Sequence, residues 1–331
     1  MANDFIFIDT TFASIKGIRK MRSIIITGAT NGIGYECAIQ MARIAPNEQI
    51  VIACRNQQAG REVIQNIKKR VGHENIICLP LDLESLRSVR EFAALFSKQS
   101  GNRIIALVNN AGIQNIAKTK FTKDGFESTF GTNHIGPFYL TLLLLPWMDD
   151  DGSITFTASG VHDPLQKTGI EPPIYTSDKD LAFPKETTEN ESITGKRRYS
   201  TSKLCNILMT YELQRRLVNT NIRVNAFDPG MVPGTGLART YPPIMQFAWK
   251  NVMPVLAWFK HNVNTPQNSG RRLANLAYSE QYKKCKGKYF EGEKEIRSST
   301  DSYNTAFQKD LWQSSIELIG IKPEETSIPI F

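Results

Sequence analysis

The sequence predicts an α/β protein built on a doubly wound parallel sheet, in a single domain. Three observations carry that expectation. Short, almost wholly apolar runs recur along the chain, beginning with 23–27 (SIIIT) and 50–54 (IVIAC). Segments with apolar residues at helical spacing separate them. A glycine cluster stands where the first run meets the first helical segment. Strands apolar along their whole length must be covered on both faces, which is the pattern of a parallel sheet flanked by helices. Right-handed crossovers then wind it in both directions.

Seven strands follow in order: 23–27, 50–54, 76–79, 104–108, 154–157, 222–227 and, behind Gly287, the short 288–290. Helical spacing marks 33–44, 60–71, 85–97 and 199–217. Residues 1–21 read as an N-terminal arm, 22–321 as the single domain and 322–331 as a tail. Two stretches break the rhythm. The polar segment 160–198, with Pro164, Pro172, Pro173 and Pro184, reads as an insertion beside the site. The segment 231–265 reads as a lid over a substrate. Its apolar part, 242–259, carries Trp249 and Trp258. Aromatic walls suit a lipophilic ligand. Shallow peripheral membrane contact, with Lys250 and Lys260 flanking an apolar face, and core or oligomer packing are the rival readings.

Composition excludes several classes. The net charge of +8 over 331 residues comes without a long basic run. Lys196-Arg197-Arg198, the nearest approach to one, reads as a solvated loop, so no nucleic-acid partner is expected. Cys37, Cys54, Cys78, Cys205 and Cys285 are widely spaced with no C-x-x-C pair, which argues against a disulfide framework or a structural metal. No run reaches the roughly 18 apolar residues that span a bilayer. The N-terminus lacks a signal-peptide pattern. The expected location is cytoplasmic or peripheral to a membrane.

The glycine cluster is Thr27-Gly28-Ala29-Thr30-Asn31-Gly32-Ile33-Gly34. Glycines at a strand–helix junction let the backbone turn tightly and approach a pyrophosphate, and the helix start offers free N–H groups. The spacing G-x-x-x-G-x-G differs from the G-x-G-x-x-G fingerprint, and a turn without a ligand is the rival reading. The second strand ends at Cys54-Arg55, where an NAD-binding chain would carry an acid. A guanidinium there fits a phosphate through its planar fork and points to NADP(H). A surface arginine is the alternative. Further on, Tyr199 and Lys203 stand four residues apart and so share one face of a helix. A phenol with a pKa of about 10 is a poor acid or base at neutral pH, and a fixed cation beside it lowers that value.

With these motifs in order, the chain resembles the short-chain dehydrogenase/reductase family, from about Arg22 to at least Gly230. The shared markers are the glycine loop, Asp82-Leu83, Asn109-Asn110-Ala111-Gly112, Asn133, Ser159, Tyr199 with Lys203, and Pro229-Gly230. The resemblance implies a Rossmann-like fold and a reaction that interconverts carbonyl and alcohol by hydride transfer. It implies Tyr199 as general acid/base, Lys203 on the nicotinamide ribose and Ser159 on the substrate oxygen. Asn133 would anchor a water in a proton relay. Asp82 and Leu83 would meet the adenine. Asn109 would pack beside the cofactor and support the central strands, and Ala111, Gly112, Pro229, Gly230 and Val232 would line the cofactor. Ser159 and Tyr199 are 40 positions apart (199 − 159), a longer gap than in compact members. That gap resembles the retinol-dehydrogenase-like and protochlorophyllide-reductase-like branch and implies a bulky lipophilic carbonyl or alcohol. Homo-oligomers are frequent in the family. The competing reading is a silent dinucleotide-sensing protein, which has no need of Asn133, Ser159, Tyr199 and Lys203 together.

Overall fold

The computed structural model describes residues 21–98, 102–233 and 263–330. The N-terminal arm and the apolar segment 242–259 lie outside these residues. Eight strands form one sheet: β1 (Arg22–Thr27), β2 (Gln49–Cys54), β3 (Ile76–Pro80), β4 (Arg103–Asn109), β5 (Met148–Thr157), β6 (Arg223–Asp228), β7 (Lys288–Glu291) and β8 (Lys294–Ile296). Their spatial order is β3-β2-β1-β4-β5-β6-β7-β8. All neighbours run parallel except β7 and β8, a hairpin turned at Gly292. That hairpin adds one strand to the expected seven, too short and too charged to show as an apolar run.

Helices cover both faces, and the alternation of strand side chains explains why. Ile24 and Ile26 of β1 point to one face, where they pack with α1 (Gly32–Ile44), α2 (Gln57–Val71) and α8 (Pro266–Tyr278). Ile25 points to the other, among residues of α3 (Leu86–Ser97), α5 (Gly136–Leu144), α7 (Glu191–Arg216) and α9 (Thr305–Ile319). Two cores back to back on one sheet require strands apolar in every position.

The chain reverses its direction across the sheet between β1 and β4, and such a switch opens a crevice at the carboxyl ends of the strands. The glycine loop, the ends of β4 and β5 and the start of β6's exit loop all meet there.

Helix α7 corrects the sequence reading. It begins at Glu191, eight residues before the expected 199, with the Asn190 side chain accepting the Ser192 N–H at 2.9 Å. The irregular part of the insertion therefore stops at the cap, and Lys196-Arg197-Arg198 is a helical turn, not a solvated loop. Within the insertion, α6 (Asp178–Ala182) is a single capped turn. Between β4 and β5 the chain forms one continuous rod: α4 (Ser128–Phe130), a π-helical turn (Gly131–Ile135) and α5. Every residue of α5 is buried, so its sequence shows no apolar stripe from which a helix could be recognised.

Candidate active site

The phosphate cradle is built from backbone. Gly28 and Gly32 both take the left-handed conformation, with φ of 66° and 58°. A side chain on Gly34 would put its Cβ 2.5 Å from the Gly28 carbonyl oxygen and from Asn110 Nδ2, so the first turn of α1 can lie this close to the loop only without one. Asn31 caps α1 by position, yet its side chain makes no capping bond. The first N–H groups of this 13-residue helix therefore remain available to an anion. Thr27 ties the cradle to β4: its Oγ1 accepts the N–H groups of Asn110 and Ala111, each at 3.0 Å.

A single cleft of about 830 Å³ runs from this cradle across the strand ends. Gly28, Thr30, Asn31, Gly32, Ile33 and Gly34 line one end, with Arg55, Asp82 and Leu83 beside them. Ala111 and Gly112 line the middle. Ser159, Tyr199, Lys203, Pro229, Gly230 and Val232 line the other end. Two expected site residues stay behind the wall. Asn109 is buried, with Nδ2 donating to Thr141 Oγ1 at 3.0 Å, and it braces β4 against α5. Its neighbour Asn110 takes the cleft position instead, because successive side chains leave a strand on opposite faces. Asn110 Nδ2 donates to the carbonyls of Thr27 and Gly28 at 2.9 and 3.3 Å. Asn133 also stands back. Its Oδ1 accepts the Ile113 N–H at 2.7 Å, and Nδ2 donates to the Ile113 carbonyl at 2.9 Å and Ser202 Oγ at 3.0 Å. It lies inside the π-turn rather than at a helix cap, a wide turn that often marks a functional position. A Cβ on Gly112 would stand 3.2 Å from Asn133 Oδ1 and 3.6 Å from Lys203 Nζ, so all three meet at one point under the cleft floor.

Arg55 is not an idle guanidinium. It pairs with Glu84 at 3.0 Å and approaches Asp82 at 3.9 Å, while Asp82 also holds Lys123 at 2.8 Å. The Arg55 end of the cleft is thus a small network of alternating charge.

At the other end, Tyr199 and Lys203 rise from one face of α7, with Lys203 Nζ 5.5 Å from the centre of the Tyr199 ring. Both are buried, at 7% and 4% exposure. Lys203 Nζ donates to the Thr157 carbonyl at 3.0 Å, which fixes it against the end of β5. Burial pulls the Lys203 ammonium down to about 8, opposed by the Asp228 carboxyl. Ser159 follows β5 and caps the 3₁₀ turn Gly160–His162, its Oγ accepting the Val161 N–H at 3.5 Å.

Sequence reasoning overlooked one group behind this end. Asp228 is buried, lines the cleft, and is pushed up to about 6 by burial. Its Oδ1 accepts the Gly230 N–H at 2.8 Å and its Oδ2 the Tyr289 hydroxyl at 3.0 Å. Standing directly before Pro229-Gly230, it was the one acid that could have drawn notice. Behind this end also stands His162, a buried structural side chain. Its Nε2 accepts the Ser299 N–H at 3.0 Å, which obliges Nδ1 to carry the proton it donates to the Ser159 carbonyl at 2.7 Å. Burial lowers its pKa and keeps the ring neutral. The imidazole thus pins the Ser159 loop to the C-terminal segment. His134 is fully structural, between the rings of Phe130 and Phe138 and against Ser315 Oγ at 2.9 Å.

The short chain dehydrogenase family model matches residues 22–179, and that of the AcuH dehydrogenase domain matches 237–328. Retinol dehydrogenase 13 of Homo sapiens is 32% identical over 302 residues, covering 91% of this chain and 85% of the relative. The chain belongs to the short-chain dehydrogenase/reductase family. Within that family it stands with the retinol-dehydrogenase-like members. Polyprenol dehydrogenase of Homo sapiens is 30% identical, with 92% of this chain and 86% of the relative covered. A crystal structure of a protein from Mycobacterium Paratuberculosis superposes with a TM-score of 0.65 at 26% identity, covering 93% of this chain and 95% of that one. A short chain dehydrogenase from Salmonella enterica shares the fold at a TM-score of 0.59 and 23% identity, with 83% and 97% covered. As a member of this family the chain is an oxidoreductase acting on alcohol and carbonyl groups.

Proposed function

We propose that the protein uses NADP(H) to interconvert a bulky lipophilic carbonyl compound and its alcohol, with Tyr199 exchanging the proton at the substrate oxygen. The observation that carries this reading is the convergence of Tyr199, Lys203, Ser159 and the glycine cradle on one cleft.

The residues present fit a dinucleotide. The unfilled N–H groups at the start of α1 suit a pyrophosphate, and the glycines leave no Cβ in its way. Arg55 at the end of β2 suits a 2′-phosphate, to which it would turn from Glu84. Lys203 would hold the nicotinamide ribose. When bound, the nicotinamide supplies or accepts the hydride.

The chain's own part is positioning and proton transfer. Ser159 Oγ, held by the His162-pinned loop, donates to the substrate oxygen and fixes it beside Tyr199. The Tyr199 hydroxyl gives its proton to that oxygen during reduction and takes it back during oxidation. The Lys203 charge favours the phenolate and so brings the tyrosine nearer to neutral working pH. Asn133 holds Ser202 and the Ile113 backbone at the base of the pair, and in this role it keeps α7 in register with the end of β4. Val161, Ile170, Met231, Val232 and Val263 give the substrate end an apolar wall. The names of the retinol and polyprenol relatives accord with an apolar substrate.

The test is NADPH oxidation across carbonyls graded by size and polarity. Long apolar aldehydes and ketones should turn over at least about tenfold more efficiently than small polar ones, the discrimination of a few buried methylenes. Preference for small polar carbonyls would refute the substrate class, and no turnover of any carbonyl would refute the chemistry.

A further inference from the structure

The charges around the substrate end do not balance. Lys196, Tyr199 and Lys203 occupy positions i, i+3 and i+7 of α7 and all line the cleft. Lys196 precedes Tyr199 by one turn, about 4.5 Å along the axis, on the side away from Lys203. Lys167, in the loop that follows Ser159, lines the same region. Three residues lining the cleft are acidic: Asp82, Glu84 and Asp228. The first two are engaged with Arg55 and Lys123 at the adenosine end. Asp228 is buried, and its oxygens accept the Gly230 N–H and the Tyr289 hydroxyl.

Two acids just outside the cleft are also occupied. Glu189 holds Arg197, and Asp163 Oδ1 accepts the Leu165 N–H at 3.0 Å. Among the described residues, neither Lys196 nor Lys167 has an ion-pair partner. The rest of the chain near Gly230 brings no remedy: between Asp228 and Glu280 the sequence holds no aspartate or glutamate. Half-buried Lys196 is therefore a cation with no ion-pair partner among the described residues, at the end of the cleft that also carries the apolar side chains Val161, Ile170, Met231, Val232 and Val263.

We propose that the substrate is amphipathic: besides its reacting carbonyl and apolar body it bears an anionic group, which Lys196 receives with help from Lys167. This deepens the reading of Tyr199 as the proton donor and rests on it. A neutral lipid would leave two ammonium groups without a counter-charge at the point of binding. An anion would neutralise them and would also set which way round the substrate enters.

The experiment uses the full-length protein loaded with NADPH and three probes: 12-oxododecanoate, its methyl ester and 12-oxododecyl phosphate. Wild type should show kcat/KM about fivefold higher for each anion than for the ester, the size of one partly exposed ion pair, with the advantage shrinking in high salt. Lys196→Arg should keep the preference, Lys196→Met should lose most of it, and Lys196→Glu should invert it. Lys309→Glu, an exposed site on α9, controls for bulk charge and should change nothing. Titration calorimetry of the same probes into the NADP⁺-loaded protein gives the ratio without turnover. Equal ratios across the Lys196 variants would overturn the proposal while leaving the Tyr199 chemistry intact. Failure to reduce any probe would overturn that chemistry, and calorimetry would then decide the anion site by itself. A preference for phosphate alone would identify a dianion as the group received, and a preference for carboxylate alone a monoanion.

Discussion

The two ends of the cleft are made of different material. At the cradle the working groups are peptide N–H groups and the absence of side chains: Gly28, Gly32 and Gly34 matter because they leave room. At the substrate end the working groups are side chains, and each is held by residues remote in sequence. Lys203 is fixed by the Thr157 carbonyl, Ser159 by His162 and Ser299, and the base of α7 by Asn133 through Ser202. The first end is local and tolerates no added atom. The second is assembled from several elements and tolerates a change of atom only where that atom takes no part in chemistry. A substitution at the cradle should therefore act on binding and folding together, and one at the catalytic end on turnover alone.

The largest expected effect tests that separation directly. Tyr199→Phe removes one oxygen and the transferable proton. Turnover should fall by about 10²–10⁴, the contribution of a positioned general acid, while NADPH affinity stays within about twofold of wild type. Steady-state kinetics together with fluorescence titration of NADPH would show it. A variant that lost affinity and turnover equally would mean that the phenol is part of the cofactor site, and the contrast between the ends would fail. Next comes Gly34→Ala. Its Cβ would meet the Gly28 carbonyl oxygen and the Asn110 amide at 2.5 Å, and that amide is held by the Thr27 and Gly28 carbonyls. Overpacking of this kind costs about 1–3 kcal/mol. Thermal unfolding should show the loss in the cofactor-free protein, and NADPH should raise the midpoint less than in wild type.

The same contrast governs what could be read in the sequence. The cradle was legible because glycine at a strand–helix junction has few other uses. Seven strands were legible, most of them because burial on both faces leaves largely apolar runs. The catalytic end was legible only through the order of motifs, and residue by residue it misled. Asn109 was placed at the cofactor, where Asn110 stands, because a motif gives no strand face. Asp228 was passed over, because the hydrogen bonds from Gly230 and Tyr289 leave no local trace. The start of α7 was set at Tyr199 because the turn 191–198 is polar and contains Gly195, so it shows no apolar stripe. Lys196 was read with Arg197 and Arg198 as part of a solvated loop. Of the expected lid at 231–265, residues 234–262, which include the apolar part 242–259, fall outside the described residues.

Lys203 links the ends, since it would touch the cofactor and tune the tyrosine. Its ammonium is lowered from 10.5 to about 8 by burial. Above that pH the lysine is neutral, and kcat/KM for NADPH, which reports the free enzyme, should fall with an apparent pKa near 8. Stability should move the other way. Between about 8 and 10.5 the unfolded chain binds the proton that the folded chain has released, so unfolding free energy rises with pH across this window. Lys203→Met should remove both trends. A cofactor kcat/KM that stayed flat to pH 10 would show that the lysine's charge is not used.

The smallest expected effects lie at the adenosine end, where a side chain serves an otherwise backbone-built site. Arg55→Asp should weaken NADPH relative to NADH by about tenfold, since it replaces a charged hydrogen-bond donor by a repelling carboxylate. Equal weakening of both cofactors would remove the 2′-phosphate from its role. Arg55 must leave Glu84, at 3.0 Å, to reach a phosphate. Exposed pairs of this kind contribute about 0.2–1 kcal/mol, so the competition reduces NADPH affinity by about 1.5- to fivefold. Glu84→Gln removes the competitor and keeps the shape. NADPH should then bind tighter by that factor, NADH should be unchanged, and the gain should shrink in high salt as the ion pair itself is screened. If Glu84→Gln improved NADH as much as NADPH, the carboxylate would be repelling the pyrophosphate rather than occupying Arg55, and the charge network would belong to the cradle instead of to cofactor choice.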